Sequence, residues 1–167
     1  MTVTPRAAEL AVEQLYVASY ARLVGITTLA AGGRAEAEDA VQEAFLRLLG
    51  KWDTVAAYDD PEAWVRSVAF RLLSNRARKV RNGLRAVGRL PDALAAGPPD
   101  PDRVDVSRAL RALRLPQRQV VVLHYLIGLS VEEVAEALHL PAGTVKSRLS
   151  RSRDALAPLL RQDVPHV

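Results

Sequence analysis

Ser130–Arg153, SVEEVAEALHLPAGTVKSRLSRSR, decides the fold of this chain. Ser130 is a good helix N-cap, and Glu133 three residues on completes a capping box. Val131, Val134, Ala135 and Leu138 then recur at helical spacing on one face, which predicts a short amphipathic helix. Pro141 suits the first turn of a second helix, where its missing N–H costs nothing, and Val145, Leu149 and Leu156 mark that helix's buried side. Thr144, Lys146, Ser147, Ser150 and Arg151 are left facing outward, with Arg148 and Arg153 on the flanks. Cations that can bond guanine edges or phosphates, set among serines small enough for close approach, suit a recognition helix in a DNA major groove. An arginine-rich solvated helix has the same composition. The capped helix and tight turn ahead of it favour a helix-turn-helix.

Composition narrows the rest. A chain of 167 residues can bury a real core as one domain or two small ones, and the reading here is two. The net charge of +4 is unevenly placed. Ala63–Pro91 holds eight basic residues and no acid, whereas Arg34–Glu62 holds eight acids against three basic residues, which points to two different partners. There is no cysteine, and His124, His139 and His166 lack ligand-like spacing, so neither a disulfide framework nor a structural metal is expected, and no cofactor. No apolar run is long enough to span a membrane and no secretory leader pattern opens the chain, so a cytoplasmic protein without membrane insertion is expected.

Apolar positions recur at three and four residues nearly everywhere, which predicts an all-α fold. A first helix is expected over Glu9 to about Leu29, with Val12, Leu15, Tyr16, Ser19, Leu23 and Val24 inward, ended by Gly32-Gly33. A second runs from about Ala35 to Leu49, its core stripe being Ala37, Ala40, Val41, Ala44, Phe45, Leu48 and Leu49, with Gly50 as C-cap. Lys51–Asp60 reads as a loop carrying Trp52 and Tyr58. Asp60 then caps a third helix with Pro61 at its first position and Trp64, Val65, Val68, Ala69 and Leu72 in the core. The stretch PDALAAGPPDPD, Pro91–Asp102, has four prolines and a glycine, so it reads as a linker. The expected partition is a three-helix domain over 9–90, a linker over 91–103 and a four-helix domain over 104–161. The second domain has helices near Val104–Leu113 and Gln117–Ile127, a break at Pro116 and a stop at Gly128, ahead of the helix-turn-helix.

Two further surfaces call for partners. The second helix carries Asp39, Gln42, Glu43 and Leu46 opposite its core, an acidic stripe with an apolar anchor that suits docking on a basic helical partner. The third helix presents Ser67, Phe70, Arg71, Ser74, Asn75, Arg78 and Lys79. An aromatic and an asparagine among arginines suit a surface that holds a nucleic-acid backbone and meets unstacked bases.

EDAVQEAFLRLL (Glu38–Leu49), PEAWVRSVAFRLLSNRARK (Pro61–Lys79) and LPQRQVVVLHYLIGLSVEEVAEALHLPAGTVKSRLSRSRDAL (Leu115–Leu156), with the proline-rich linker, resemble the extracytoplasmic-function sigma factors, promoter-specificity subunits of bacterial RNA polymerase. The resemblance implies that Asp39, Gln42, Glu43 and Leu46 dock on the clamp helices of core polymerase. It implies that the third helix, with Trp52 and Tyr58 of the preceding loop, captures the melted non-template strand of the minus-ten element. Thr144, Lys146, Ser147, Arg148, Ser150, Arg151 and Arg153 would read the minus-thirty-five duplex, with His124 near its backbone. An anti-sigma factor covering the polymerase-binding surfaces is a further implied partner. Many members have asparagine directly after an aliphatic-alanine pair on the third helix. Here Val68-Ala69 is followed by Phe70-Arg71 and the nearest asparagine is Asn75, so the resemblance leaves the base preference at the minus-ten element open.

Two other readings compete. A stand-alone helix-turn-helix regulator accounts for Ser130–Arg153 but leaves the acidic stripe without a role. A metal-dependent nuclease would need Asp59-Asp60 or Glu132-Glu133 as ligands, yet these read as a helix cap and as first-turn acids favoured by the helix dipole. No enzyme activity is therefore expected.

Overall fold

The computed structural model describes residues 4–87 and 104–161. Eight α-helices and one π-helical turn account for nearly all of them, and no strand occurs among the described residues: α1 (Pro5–Ala31), α2 (Arg34–Leu49), α3 (Trp52–Val55), α4 (Pro61–Val87), α5 (Val104–Arg111), α6 (Leu115–Val121), the π-turn Val122–Leu126, α7 (Val131–Leu138) and α8 (Ala142–Arg161). They form two compact units, the first holding α2 to α4 and nearly all of α1, the second α5 to α8. The expected linker, 91–103, lies outside the described residues.

In the first unit Pro5 opens α1 where no N–H is needed, and the Thr4 carbonyl accepts from the amides of Ala7 and Ala8. Gly32, at φ 83°, ends that helix in the left-handed conformation that glycine adopts without strain. α2 buries Ala37, Ala40, Val41, Ala44, Phe45 and Leu48. Alanines at three of those positions bring its backbone close to α4, whose Val65, Val68, Ala69, Phe70, Leu72 and Leu73 complete the core. Ser19 and Thr28 satisfy their hydroxyls locally by donating to the carbonyls of Leu15 and Val24. Asp60 caps α4 as expected, its Oδ1 accepting from the Ala63 amide at 3.0 Å.

Three expectations for this unit are corrected. Leu49 is 44% exposed, because it lines an open groove beside α1 while its neighbour Leu48 takes the buried position in the same turn. Gly50 does not adopt the left-handed conformation of a C-cap. The chain turns instead through Lys51, whose amide bonds the Leu48 carbonyl, straight into the one-turn helix α3, so the segment read as a loop buries Val55.

In the second unit Pro116 starts α6 rather than breaking the chain, since it occupies the first turn after the extended Arg114. Val120–Leu123 are buried with Leu110, Leu113, Val134, Val145 and Leu149. The helix then widens into a π-turn, with the Ile127 amide reaching the Val122 carbonyl at 3.0 Å, and Gly128 at φ 85° releases the chain.

Candidate nucleic-acid interface

The helix-turn-helix forms as the sequence dictates. Ser130 Oγ accepts from the Glu133 amide at 3.1 Å, and the Glu133 carboxylate accepts from the Ser130 amide at 2.7 Å. The reciprocal bonds satisfy two donors that a helix start otherwise leaves unpaired. α7 ends at His139, the one non-glycine residue among those described with positive φ (53°). There the Leu140 amide closes back on the Ala135 carbonyl at 2.9 Å. Pro141 stands one residue before α8, its carbonyl accepting from Thr144 and Val145.

Val145, Leu149 and Ser152 of α8 are buried, the serine hydroxyl donating to the Arg148 carbonyl at 2.7 Å. Lys146, Ser150, Arg151 and Arg153 are exposed, and Thr144, Ser147 and Arg148 half-buried beside them. Ser147 donates to the Thr144 carbonyl, which holds its hydroxyl against the helix. Burial, and then the neighbouring Arg151, lowers the Arg148 pKa, so an oxyanion placed between the two arginines would relieve a repulsion already present. His124 sits in the π-turn with Nδ1 2.7 Å from the Leu129 carbonyl, which orients the ring and leaves Nε2 for another partner.

In the first unit the basic face of α4 is only partly as expected. Asn75, Arg78 and Lys79 are exposed, Ser67, Arg71 and Ser74 half-buried, and Ser74 donates to the Phe70 carbonyl at 3.3 Å. Phe70 is fully buried, so it is a core residue and offers no ring for a base. Of the aromatics assigned to the strand, Tyr58, 47% exposed, and the half-buried Trp52 on α3 remain accessible.

On α2, Asp39, Gln42 and Leu46 are exposed, Leu46 at 69%, and Gln42 donates to the Tyr20 hydroxyl at 3.2 Å. Glu43 is not a free acid. It accepts from Arg47 at 2.7 Å and from Arg76 of α4 at 2.8 Å, and these guanidiniums, Arg76 foremost, hold its carboxyl below the usual glutamate range. Beside Leu46 an open groove of about 480 Å³ runs between α1 and α2, its apolar wall made by Val12, Tyr16, Phe45 and Leu49. Leu49 was missed because its spacing matches the core stripe, and Arg76 because only the fold brings it to α2. Among the described residues no cluster of His, Asp or Glu could hold a metal ion, and no helix is long and apolar enough to cross a membrane.

These surfaces coincide with two known families: Sigma-70 region 2 matches residues 15–82 and Sigma-70 region 4 matches residues 103–156. The chain is 33% identical over 142 residues to the ECF RNA polymerase sigma factor SigW of Bacillus subtilis, covering 75% of this chain and 76% of that protein. It is also 33% identical over 125 residues to the ECF RNA polymerase sigma factor SigC of Mycobacterium tuberculosis, covering 72% and 68%. Among solved structures, the sigma factor RpoE of Bartonella quintana, in complex with the anti-sigma factor NepR, superposes with a TM-score of 0.72 at 26% identity, covering 91% of this chain and 98% of that one. With its two units, its capped helix-turn-helix and these relatives, the chain belongs to the extracytoplasmic-function group of RNA polymerase sigma factors.

Proposed function

We propose that this sigma factor, a promoter-specificity subunit of RNA polymerase, divides its work between domains at 9–90 and 104–161, joined by a linker at 91–103. Asp39, Gln42, Glu43 and Leu46 dock on the clamp helices of core polymerase. Trp52, Tyr58, Ser67, Arg71, Ser74, Asn75, Arg78 and Lys79 hold the melted minus-ten strand. Thr144, Lys146, Ser147, Arg148, Ser150, Arg151 and Arg153 read the minus-thirty-five duplex, with His124 against its backbone. Phe70 drops out of this set because it is buried.

The observation that carries the reading is the pairing, within one small helical unit, of an acidic face with an exposed leucine on α2 and an acid-free basic face on α4. A duplex-binding regulator needs neither. The polymerase supplies the chemistry of RNA synthesis, and the sigma factor acts by binding, in the cytoplasm and without a cofactor of its own. An anti-sigma factor is its proposed restraint, supported by the solved relative that carries NepR. It would cover Leu46 and the groove beside it.

Separating the two functions tests the assignment. Leu46→Ala should weaken assembly with core polymerase about tenfold, roughly the transfer free energy of a leucine anchor leaving an apolar contact, while leaving duplex affinity unchanged. Arg151→Ala should do the reverse, lowering the salt slope of duplex binding by about 0.9 for one lost phosphate contact. Loss of core assembly in Arg151→Ala but not in Leu46→Ala would refute it.

A further inference from the structure

Between α2 and α4 lies a cleft of about 270 Å³ lined by Glu43, Arg47, Leu72, Asn75, Arg76, Arg78 and Lys79. Four of these seven residues are cations and one is an acid, and that acid is already spent. Glu43 takes one terminal nitrogen of Arg47 on Oε1 and one of Arg76 on Oε2, at 2.7 and 2.8 Å. A guanidinium has five donors in a fixed fork, so each arginine keeps N–H groups for a second oxyanion. One carboxylate therefore holds two guanidiniums together at the mouth of a cleft that already contains Arg78 and Lys79 and the neutral amide of Asn75. With four cations to one acid, the cleft keeps an excess of positive charge that a seated phosphate would balance.

We propose that this cleft is a phosphate site for the captured DNA strand, with Arg47 and Arg76 as its ligands beside Arg78 and Lys79, and with Glu43 as the positioning residue that holds the two arginines in place. The inference rests on the reading of α4 as the strand-holding face and extends it in two ways. It adds two arginines that the sequence assigns to no partner, one of them on the helix that carries the docking stripe. It also makes the contact blind to sequence, because a phosphodiester offers the same oxygens whatever base it carries. The ligand chemistry is a phosphate oxyanion. A strand phosphodiester and a free polyphosphate both supply it, and the structure favours the strand because Asn75, Arg78 and Lys79 continue from the cleft along the exposed side of α4.

The test uses holoenzyme assembled from core polymerase and the full chain. A fluorescent single-stranded oligonucleotide carries the non-template minus-ten region of a promoter the holoenzyme transcribes, and its affinity is measured across a salt series. Arg76→Gln should weaken binding about tenfold at low salt, as expected for one charge-assisted contact, and lower the log–log salt slope by about 0.7, the value for one phosphate on a single strand. Arg76→Lys, which keeps the charge, should recover most of the slope. Arg47→Gln, at an exposed position where folding is not at issue, should act in the same direction. Arg6→Gln, far along α1, is the control for net charge and should leave the slope unchanged.

Parental slope and affinity in both Arg76→Gln and Arg47→Gln would overturn the site while leaving the strand-holding reading intact. No binding by the parent holoenzyme above that of core alone would overturn the reading and the site with it. In a second arm, pyrophosphate at constant ionic strength should displace the oligonucleotide no better than chloride does. Tight pyrophosphate binding lost in Arg76→Gln, with strand affinity unaffected, would make the cleft a free-anion site and refute the proposal.

Discussion

Replacing Phe70 separates a core residue from a base-stacking one. Its ring is fully buried on α4, packed in the unit whose core also holds Val65, Val68, Ala69, Leu72 and Leu73. Truncation to alanine would cost about 3–5 kcal/mol, enough to unfold a marginal unit, whereas leucine keeps most of the side-chain volume and should cost about 1–2 kcal/mol. For a unit of this size each kcal/mol moves the melting temperature by about 4–8 °C, so Phe70→Leu should lower the first unit's transition by roughly 5–15 °C. Thermal denaturation of the full chain, followed by circular dichroism, reads that shift. Binding of the same variant, as holoenzyme, to a minus-ten single strand at a temperature where it is folded should stay within about twofold of the parent. A ring that stacks on a base contributes about 1–3 kcal/mol, so a stacking role would weaken binding by about fivefold to a hundredfold with little thermal shift. An unchanged melting temperature together with lost strand affinity would refute the burial argument.

Two further outcomes follow from local geometry. Ser130→Ala removes one half of the capping box and should destabilise the second unit by about 1 kcal/mol, read by denaturant midpoint, while a Ser130→Asp replacement should restore it because Asp accepts from the same amide. Glu43, whose pKa is lowered chiefly by the hydrogen bond from Arg76, contributes stability above its ordinary value of 4.5, and that contribution is lost as pH falls through the folded value below it. Acid titration of stability should therefore show a shallower loss below about pH 4.5 in Glu43→Gln than in the parent, and an identical acid limb in the two would contradict the bridge.

Most of the architecture was legible because local signals agreed with one another. The capping box at Ser130, the Asp60-Pro61 helix start and the alanine-rich stripe of α2 each fix an element without help from the rest of the chain. What escaped the sequence depended on the fold. Phe70 sits at a spacing that fits either side of the apolar stripe of α4, and only packing against its neighbours decides that it turns inward. Leu49 fits the stripe of α2 by spacing, but Leu48 takes the buried position in that turn and Leu49 is left on the open groove. The π-turn at Val122–Leu126 has no distinct periodicity, since it inserts one residue into a helix whose apolar run is continuous. The Glu43 bridge pairs residues 33 apart, a separation at which no helical rule applies. The basic and acidic halves of the first unit were visible as charge blocks. Their meeting at one cleft was not.

The central claim is that this chain confers promoter choice on a polymerase that lacks it. Purified chain added to sigma-free bacterial core polymerase, on a library of genomic fragments with transcript starts mapped, measures this directly. The account predicts starts that appear only with the chain present and share two spaced upstream elements. Random starts independent of the chain, with the chain still binding duplex DNA by itself, would contradict it.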